Sequence, residues 1–156
     1  MSSEPHVGAP APAFTLPTNG GGSVSLAALA GRKVVLYFYP KDDTPGCTTE
    51  AIDFTARIAD FEAAGAVVVG VSRDSVAAHD KFAKKHQLAV TLGADLDGAA
   101  TEAYGVWVEK NMYGRQYFGI ERATFLIDGQ GEIARIWRKV KVKGHVDEVL
   151  EAARAL

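Results

Sequence analysis

Thr44-Pro45-Gly46-Cys47 sets the chain's only cysteine at the point where the apolar run Val34-Val35-Leu36-Tyr37-Phe38-Tyr39-Pro40 gives way to a helix. Thr44 reads as an N-cap whose hydroxyl accepts from the Cys47 N–H, and Pro45 suits the first helical position. Cys47 then falls in the first turn, where unpaired backbone N–H groups and the positive end of the helix dipole favour an anion. The thiolate is the nucleophilic form of cysteine, so the placement predicts a reactive sulfur. Without those neighbours a lone cysteine reads as a small buried hydrophobe.

The other chemistry-bearing residues carry weaker signals. Glu50 is positioned to support the helix dipole and the first-turn N–H groups. His79 and His86 stand seven residues apart on one predicted helix, two turns of separation, and read as solvated or boundary histidines; no metal site is expected. None of the four histidines has an obvious placement as a base for Cys47, which weighs against a cysteine hydrolase. Asp95 and Asp97 look like turn and capping residues, and Trp107, Tyr113, Tyr117 and Phe118 like core and rim packing.

The charge sum is 17 Lys+Arg against 19 Asp+Glu, a net −2 without a dense basic cluster, so nucleic acid is not an expected partner. One cysteine forms no internal disulfide, the opening Met1-Ser2-Ser3-Glu4-Pro5-His6 has no leader character, and no apolar stretch approaches a membrane span. A single cytoplasmic domain over residues 1–156, away from membranes, is the expectation.

Certain elements must hold the cysteine in place. Phe14-Thr15-Leu16 and Val24-Ser25-Leu26 flank Asn19-Gly20-Gly21-Gly22 and read as an N-terminal β-hairpin. Ser25 caps a helical turn through Leu29, and Gly31 stops it before the central strand Val34 to Tyr39. Cys47, Ala51, Phe54, Ile58 and Phe61 recur at helical spacing, so one helix runs to about Ala64 with Gly65 as its stop, and the cysteine belongs to its packed face. Ala66 to Val71 is a second buried strand, joined to the first by a parallel crossover. Ser72 or Asp74 caps a helix from Ser75 to His86, Val90-Thr91-Leu92 forms a short strand, and Ala99 to Tyr104 a short helix. The strands Thr124 to Ile127 and Glu132 to Trp137 meet through Asp128-Gly129-Gln130-Gly131, and a last helix carries Val146, Val149, Leu150 and Ala153 on one face. This order is that of an α/β thioredoxin-like fold, a central mixed sheet flanked by helices.

Pro40-Lys41-Asp42-Asp43-Thr44-Pro45-Gly46-Cys47-Thr48-Thr49-Glu50 resembles the active-site segment of peroxiredoxins, with their Pro-x-x-x-Thr-x-x-Cys pattern. It is most similar to the bacterioferritin comigratory protein, or peroxiredoxin Q, subfamily. Gly105-Val106-Trp107, Met112-Tyr113-Gly114 and Gly119 to Asp128 resemble later family blocks in the right order, and Phe14 to Pro17 and Val140 to His145 its two ends. The resemblance implies a thiol-dependent peroxidase acting on hydrogen peroxide and organic hydroperoxides. It implies that Cys47 is the nucleophile, Thr44 and Gly46 border the peroxide, Pro40 shields the thiol, Arg122 completes the anion site and Glu50 supports it. It implies no metal and no cofactor, and a Cys47 sulfenic acid as the oxidised product.

Many members of that subfamily carry a resolving cysteine five residues after the first, where this chain has Ile52. The resemblance therefore implies reduction by an external thiol, such as thioredoxin, glutaredoxin or a small thiol, in a monomer, with a weak dimer as the alternative. Two other functions compete. A disulfide exchanger of the same fold would use Cys-x-x-Cys, whereas Thr48, Thr49 and Glu50 follow Cys47 here. A peroxide-sensing thiol protein would use the same sulfur but react about once per molecule.

Overall fold

A computed structural model of the chain describes residues 5–156; Met1 to Glu4, read above for leader character, lie outside them. The residue ranges are β1 Thr15–Pro17, β2 Ser23–Ser25, β3 Lys33–Phe38, α1 Pro45–Ala56, α2 Ile58–Ala63, β4 Ala66–Ser72 and α3 Val76–His86. They continue as β5 Thr91–Ala94, α4 Ala99–Ala103, β6 Trp107–Met112, β7 Arg115–Ile120, β8 Ala123–Ile127, β9 Ile133–Trp137 and α5 His145–Ala155.

Five strands form one mixed sheet in the order β5-β4-β3-β8-β9. β3 pairs parallel with β4 and antiparallel with β8, as the crossover and the change of pattern predict. Its run Lys-Val-Val-Leu-Tyr-Phe is buried on both faces because both faces are covered. Val35 and Tyr37 face a cluster with Cys47, Ala51, Phe54, Phe61, Phe82 and residues of α5. Val34, Leu36 and Phe38 face the opposite cluster, around Tyr104, Val106 and Phe125. The thioredoxin-like fold and the N-terminal hairpin, β1 with β2, stand as expected.

Several expectations are corrected. The predicted helix to Ala64 is two helices: Arg57 adopts φ −108° and ψ 9°, its N–H bonding back to Phe54 three residues earlier. The apolar spacing continues through that kink, with Phe54 and Phe61 rings 5.7 Å apart, so periodicity alone could not reveal it. Gly65, at φ 78°, ends α2 as predicted. α3 is capped by Ser75, whose hydroxyl accepts from Ala78 N–H at 3.1 Å, because Ser72 and Asp74 are bonded to each other. The strand expected at Val90 begins at Thr91 and runs to Ala94.

The β6–β7 hairpin was not expected at all. Its turn places Tyr113 at φ 54° and Gly114 at φ 75°, the pair of positive angles that a tight two-residue hairpin demands. Tyr113, Tyr117 and Phe118 are therefore exposed rather than packed in core or rim, while Trp107 stacks on Phe118 and lies beneath the Arg73 guanidinium.

β3 and β4 approach so closely at one point that only glycine fits. A Cβ at Gly70 would lie 2.5 Å from the Tyr37 ring, which is fully buried and stacked on Phe54 at 4.5 Å. Gly70→Ala is expected to lower stability by about 1–3 kcal/mol through overpacking, read as a shift in the urea midpoint at unchanged m-value.

Candidate active site

Two pieces of chain separated by 72 residues build the site. The first is the start of α1. Thr44 takes the N-cap position with extended φ −98° and ψ 155°, Pro45 opens the helix, and the Thr44 carbonyl accepts from Thr48 N–H at 2.8 Å. Cys47 and Glu50 then point inward one turn apart, Cys47 2% exposed and the Glu50 side chain wholly buried.

The second piece is the short link between β7 and β8. Antiparallel pairing matches Phe38 with Ala123, so Arg122 lies one residue beyond that pair, beside the end of β3 where the chain leaves for α1. Its backbone is held by Val140 N–H donating to its carbonyl at 3.0 Å.

The Arg122 guanidinium joins the two. Nη2 donates to Cys47 Sγ at 3.3 Å and Nη1 donates to Glu50 Oε1 at 2.7 Å. Gly46 makes this approach possible, since a Cβ there would sit 3.0 Å from Arg122 Nη2. Glu50, expected to support the helix dipole and the first-turn N–H groups, is buried and accepts from Arg122 instead. Burial raises its carboxyl from 4.5 to about 7, against the opposing pull of Arg122. Its Oε2 and the nearby Tyr37 hydroxyl have no hydrogen-bond partner among the described residues, and burial keeps that phenol protonated.

Thr44 behaves differently from expectation. Its hydroxyl does not accept from Cys47 N–H but donates to the Lys41 carbonyl at 2.8 Å, so Thr44 caps α1 through its backbone alone. Thr44 is half-buried, three residues before the cysteine. Pro40 is exposed where β3 ends. Ile52 is exposed on the far side of α1, and Cys47 is the single cysteine of the chain.

Two residues escaped sequence reasoning. Lys110 of β6 lies within electrostatic reach of Cys47 and Arg122, its stem laid over Gly119, and burial together with the Arg122 charge pushes its ammonium group down. Nothing in the sequence around it signals this, because it depends on the unforeseen hairpin. The second is His79, read as solvated or at a boundary but fully buried, with Nδ1 2.7 Å from Asp42 Oδ2. An acidic residue four positions past the end of β3 and a histidine facing the sheet were the available signal.

Arranged in this way, the site can hold a sulfur anion against a fixed cation in a largely dry setting, and can stabilise further negative charge placed beside it. Residues 7–136 match the AhpC/TSA family. The chain is 56% identical over 145 residues to the putative peroxiredoxin bcp of Coxiella burnetii, covering 93% of this chain and 96% of that protein. It superposes with a TM-score of 0.90 on a cysteine-to-serine variant of Xanthomonas campestris peroxiredoxin Q, at 49% identity, covering 98% and 99% of the two chains. A trapped intermediate/ligand complex of the Xanthomonas campestris bacterioferritin comigratory protein, concerned with alkyl peroxide reduction, matches with a TM-score of 0.87 at 51% identity over 91% and 90%.

The raised Glu50 carboxyl has a pH signature. Between pH 4.5 and about 7 the unfolded chain has released this proton while the folded chain keeps it, so Glu50 contributes stability that is lost as pH rises through that window. Urea melts across the window should show Glu50→Gln with a flatter pH dependence than the parent, by roughly 3 kcal/mol at full span. Parallel curves for the two proteins would mean Glu50 ionises in its ordinary range.

Proposed function

We propose how the site works on the premise that this chain belongs to the AhpC/TSA family and is a thiol-dependent peroxidase of the bacterioferritin comigratory protein, or peroxiredoxin Q, type. Cys47 is the nucleophile, and the observation that carries the assignment is the Arg122 Nη2 contact with Sγ at 3.3 Å in the first turn of α1. The hydrogen bond to Glu50 holds the guanidinium against the sulfur before substrate arrives.

The Cys47 thiolate attacks the terminal oxygen of ROOH in line with the O–O bond. A sulfur–oxygen bond forms, the O–O bond breaks, and its electron pair leaves on RO⁻, which takes up a proton as ROH. Arg122 stabilises the charge developing on the oxygens. The Thr44 hydroxyl accepts from the terminal O–H and, by releasing Lys41, donates to the other oxygen, which aligns the bond for attack. Gly46 leaves room for this geometry, and Pro40 covers the thiol side of the loop. Hydrogen peroxide and organic hydroperoxides share the O–O group this chemistry recognises.

A thiol R′SH then attacks the sulfenic acid, giving a Cys47 mixed disulfide and water, and a second thiol releases the Cys47 thiol and R′SSR′. With one cysteine in the chain, the reductant is external: thioredoxin, glutaredoxin or a small thiol. Our reading of the assembly is a monomer, with a weak dimer as the alternative. The packing of α5 against the cluster that holds Cys47 supports one domain across residues 1–156. Among the described residues no helix is long and apolar enough to cross a membrane; with no disulfide to form, the cytoplasm suits the chain.

Cys47→Ser is expected to abolish peroxide consumption. Arg122→Lys keeps the charge but cannot reach both partners, and should slow the peroxide step roughly a hundredfold in stopped-flow measurements. A parent-like rate in that variant would remove Arg122 from the anion site.

One equivalent of peroxide without thiol should yield a sulfenic acid that dimedone traps, seen by intact-mass spectrometry, and excess peroxide a sulfinic acid. A disulfide-linked homodimer that turns over at the steady-state rate would instead make a second copy's Cys47 the resolving thiol.

A further inference from the structure

We propose that His79 and Asp42 are a positioning pair that sets the shape of the peroxide-binding loop from Pro40 to Thr44, an inference that rests on the assignment of Cys47 and Thr44 above. Asp42 is buried between two exposed neighbours, Lys41 and Asp43, so its carboxylate points inward from an outward-facing loop. Oδ1 accepts from the Tyr39 hydroxyl at 2.5 Å, and Oδ2 lies 2.7 Å from His79 Nδ1. The other ring nitrogen, Nε2, lies 3.0 Å from the Gly93 carbonyl of β5. A carbonyl only accepts, so Nε2 carries a hydrogen, and the contact at Nδ1 is a proton shared with the Asp42 carboxylate.

The network reaches Thr44 by a short route. The peptide unit between Lys41 and Asp42 is held on both sides: Asp42 N–H donates to Asp74 Oδ2 at 2.9 Å, and the Lys41 carbonyl accepts from the Thr44 hydroxyl at 2.8 Å. Fixing Asp42 therefore fixes the carbonyl that orients Thr44. Asp43, at φ 60°, is tied to α3 in turn by Lys85 at 2.7 Å and His86 at 2.9 Å. The loop is thus anchored on α3, β5 and the end of β4, none of which bears Cys47 or Arg122.

A fully buried histidine beneath a surface loop is not an economical way to gain stability, because apolar residues of the same volume fill such space as well or better. What the polar pair adds is direction. Arg122 and Glu50 set the electrostatic surroundings of the sulfur, while His79 and Asp42 set where the Thr44 hydroxyl stands. The first affects every reaction of Cys47, the second only a reaction that needs an aligned O–O bond.

The test compares two reactions of the reduced full-length protein: oxidation by hydrogen peroxide and alkylation by iodoacetamide, both followed as second-order rates at Cys47. In His79→Gln, whose amide reaches Gly93 but not Asp42, and in Asp42→Ala, the peroxide rate is expected to fall roughly ten- to a hundredfold while alkylation holds. His79→Asn places its amide where Nδ1 stood, retains the Asp42 contact and should restore most of the peroxide rate. Thermal melts identify any variant that fails to fold; if His79→Gln does, Asp42→Ala carries the comparison. The proposal is overturned if peroxide and iodoacetamide rates fall together, if neither falls, or if His79→Asn is as slow with peroxide as His79→Gln. Cys47→Ser, run alongside, separates this from the nucleophile assignment: peroxide consumption persisting there would sink that assignment itself.

Discussion

Arg122 divides a single positive charge between two partners, Cys47 through Nη2 and Glu50 through Nη1, and the local architecture is organised to let it do so. Removing a guanidinium from water is costly unless its hydrogen bonds are met, so a cation this enclosed requires acceptors at fixed positions. α1 supplies both, three residues apart, and the antiparallel pairing of β8 on β3 brings the arginine to them. Near neutral pH the buried Glu50 carboxyl is close to its own midpoint. When it holds a proton, the guanidinium charge faces the sulfur undivided; when it does not, the carboxylate competes for that charge. The charge felt by the sulfur is therefore a property of the trio.

Much of this was legible in the chain because the decisive signals are local. Thr44-Pro45-Gly46-Cys47 announces a helix start by capping chemistry, and the unbroken apolarity of β3 announces a strand covered on both faces. Arg122 was legible only through the motif around it, since nothing in an isolated arginine says that the chain will return beside residue 47. Where the reading failed, the cause was tertiary. Glu50 and His79 carry polar side chains that propensity assigns to water, yet each is fully buried because one partner, Arg122 or Asp42, waits inside. Thr44 has the right type for a side-chain cap, but its hydroxyl is drawn to Lys41 instead. The kink at Arg57 is invisible because the apolar spacing runs through it. The β6–β7 hairpin is a mostly exposed ribbon whose strands lack the apolar runs that mark the main sheet, and its turn uses Tyr113 where asparagine or aspartate would have signalled it.

The strands of that hairpin pair only with each other, and Ile120 and Trp107 at its base pack into the apolar cluster over the five-stranded sheet. The hairpin is a ribbon held at its base, and Glu121 and Arg122 are the two residues between its last strand and β8. The ribbon and the guanidinium therefore share one short stretch of backbone at Glu121 and Arg122. The fold braces that stretch closely. Glu121 N–H donates to the Val106 carbonyl at 2.7 Å, Arg138 Nε donates to the Glu121 carboxylate at 2.7 Å, and Val140 closes on the Arg122 carbonyl. The consequence is a division of labour along one short stretch of chain: the exposed ribbon is free to vary in sequence at its tip, while the residues at its base are tied on both sides of the arginine that meets the sulfur.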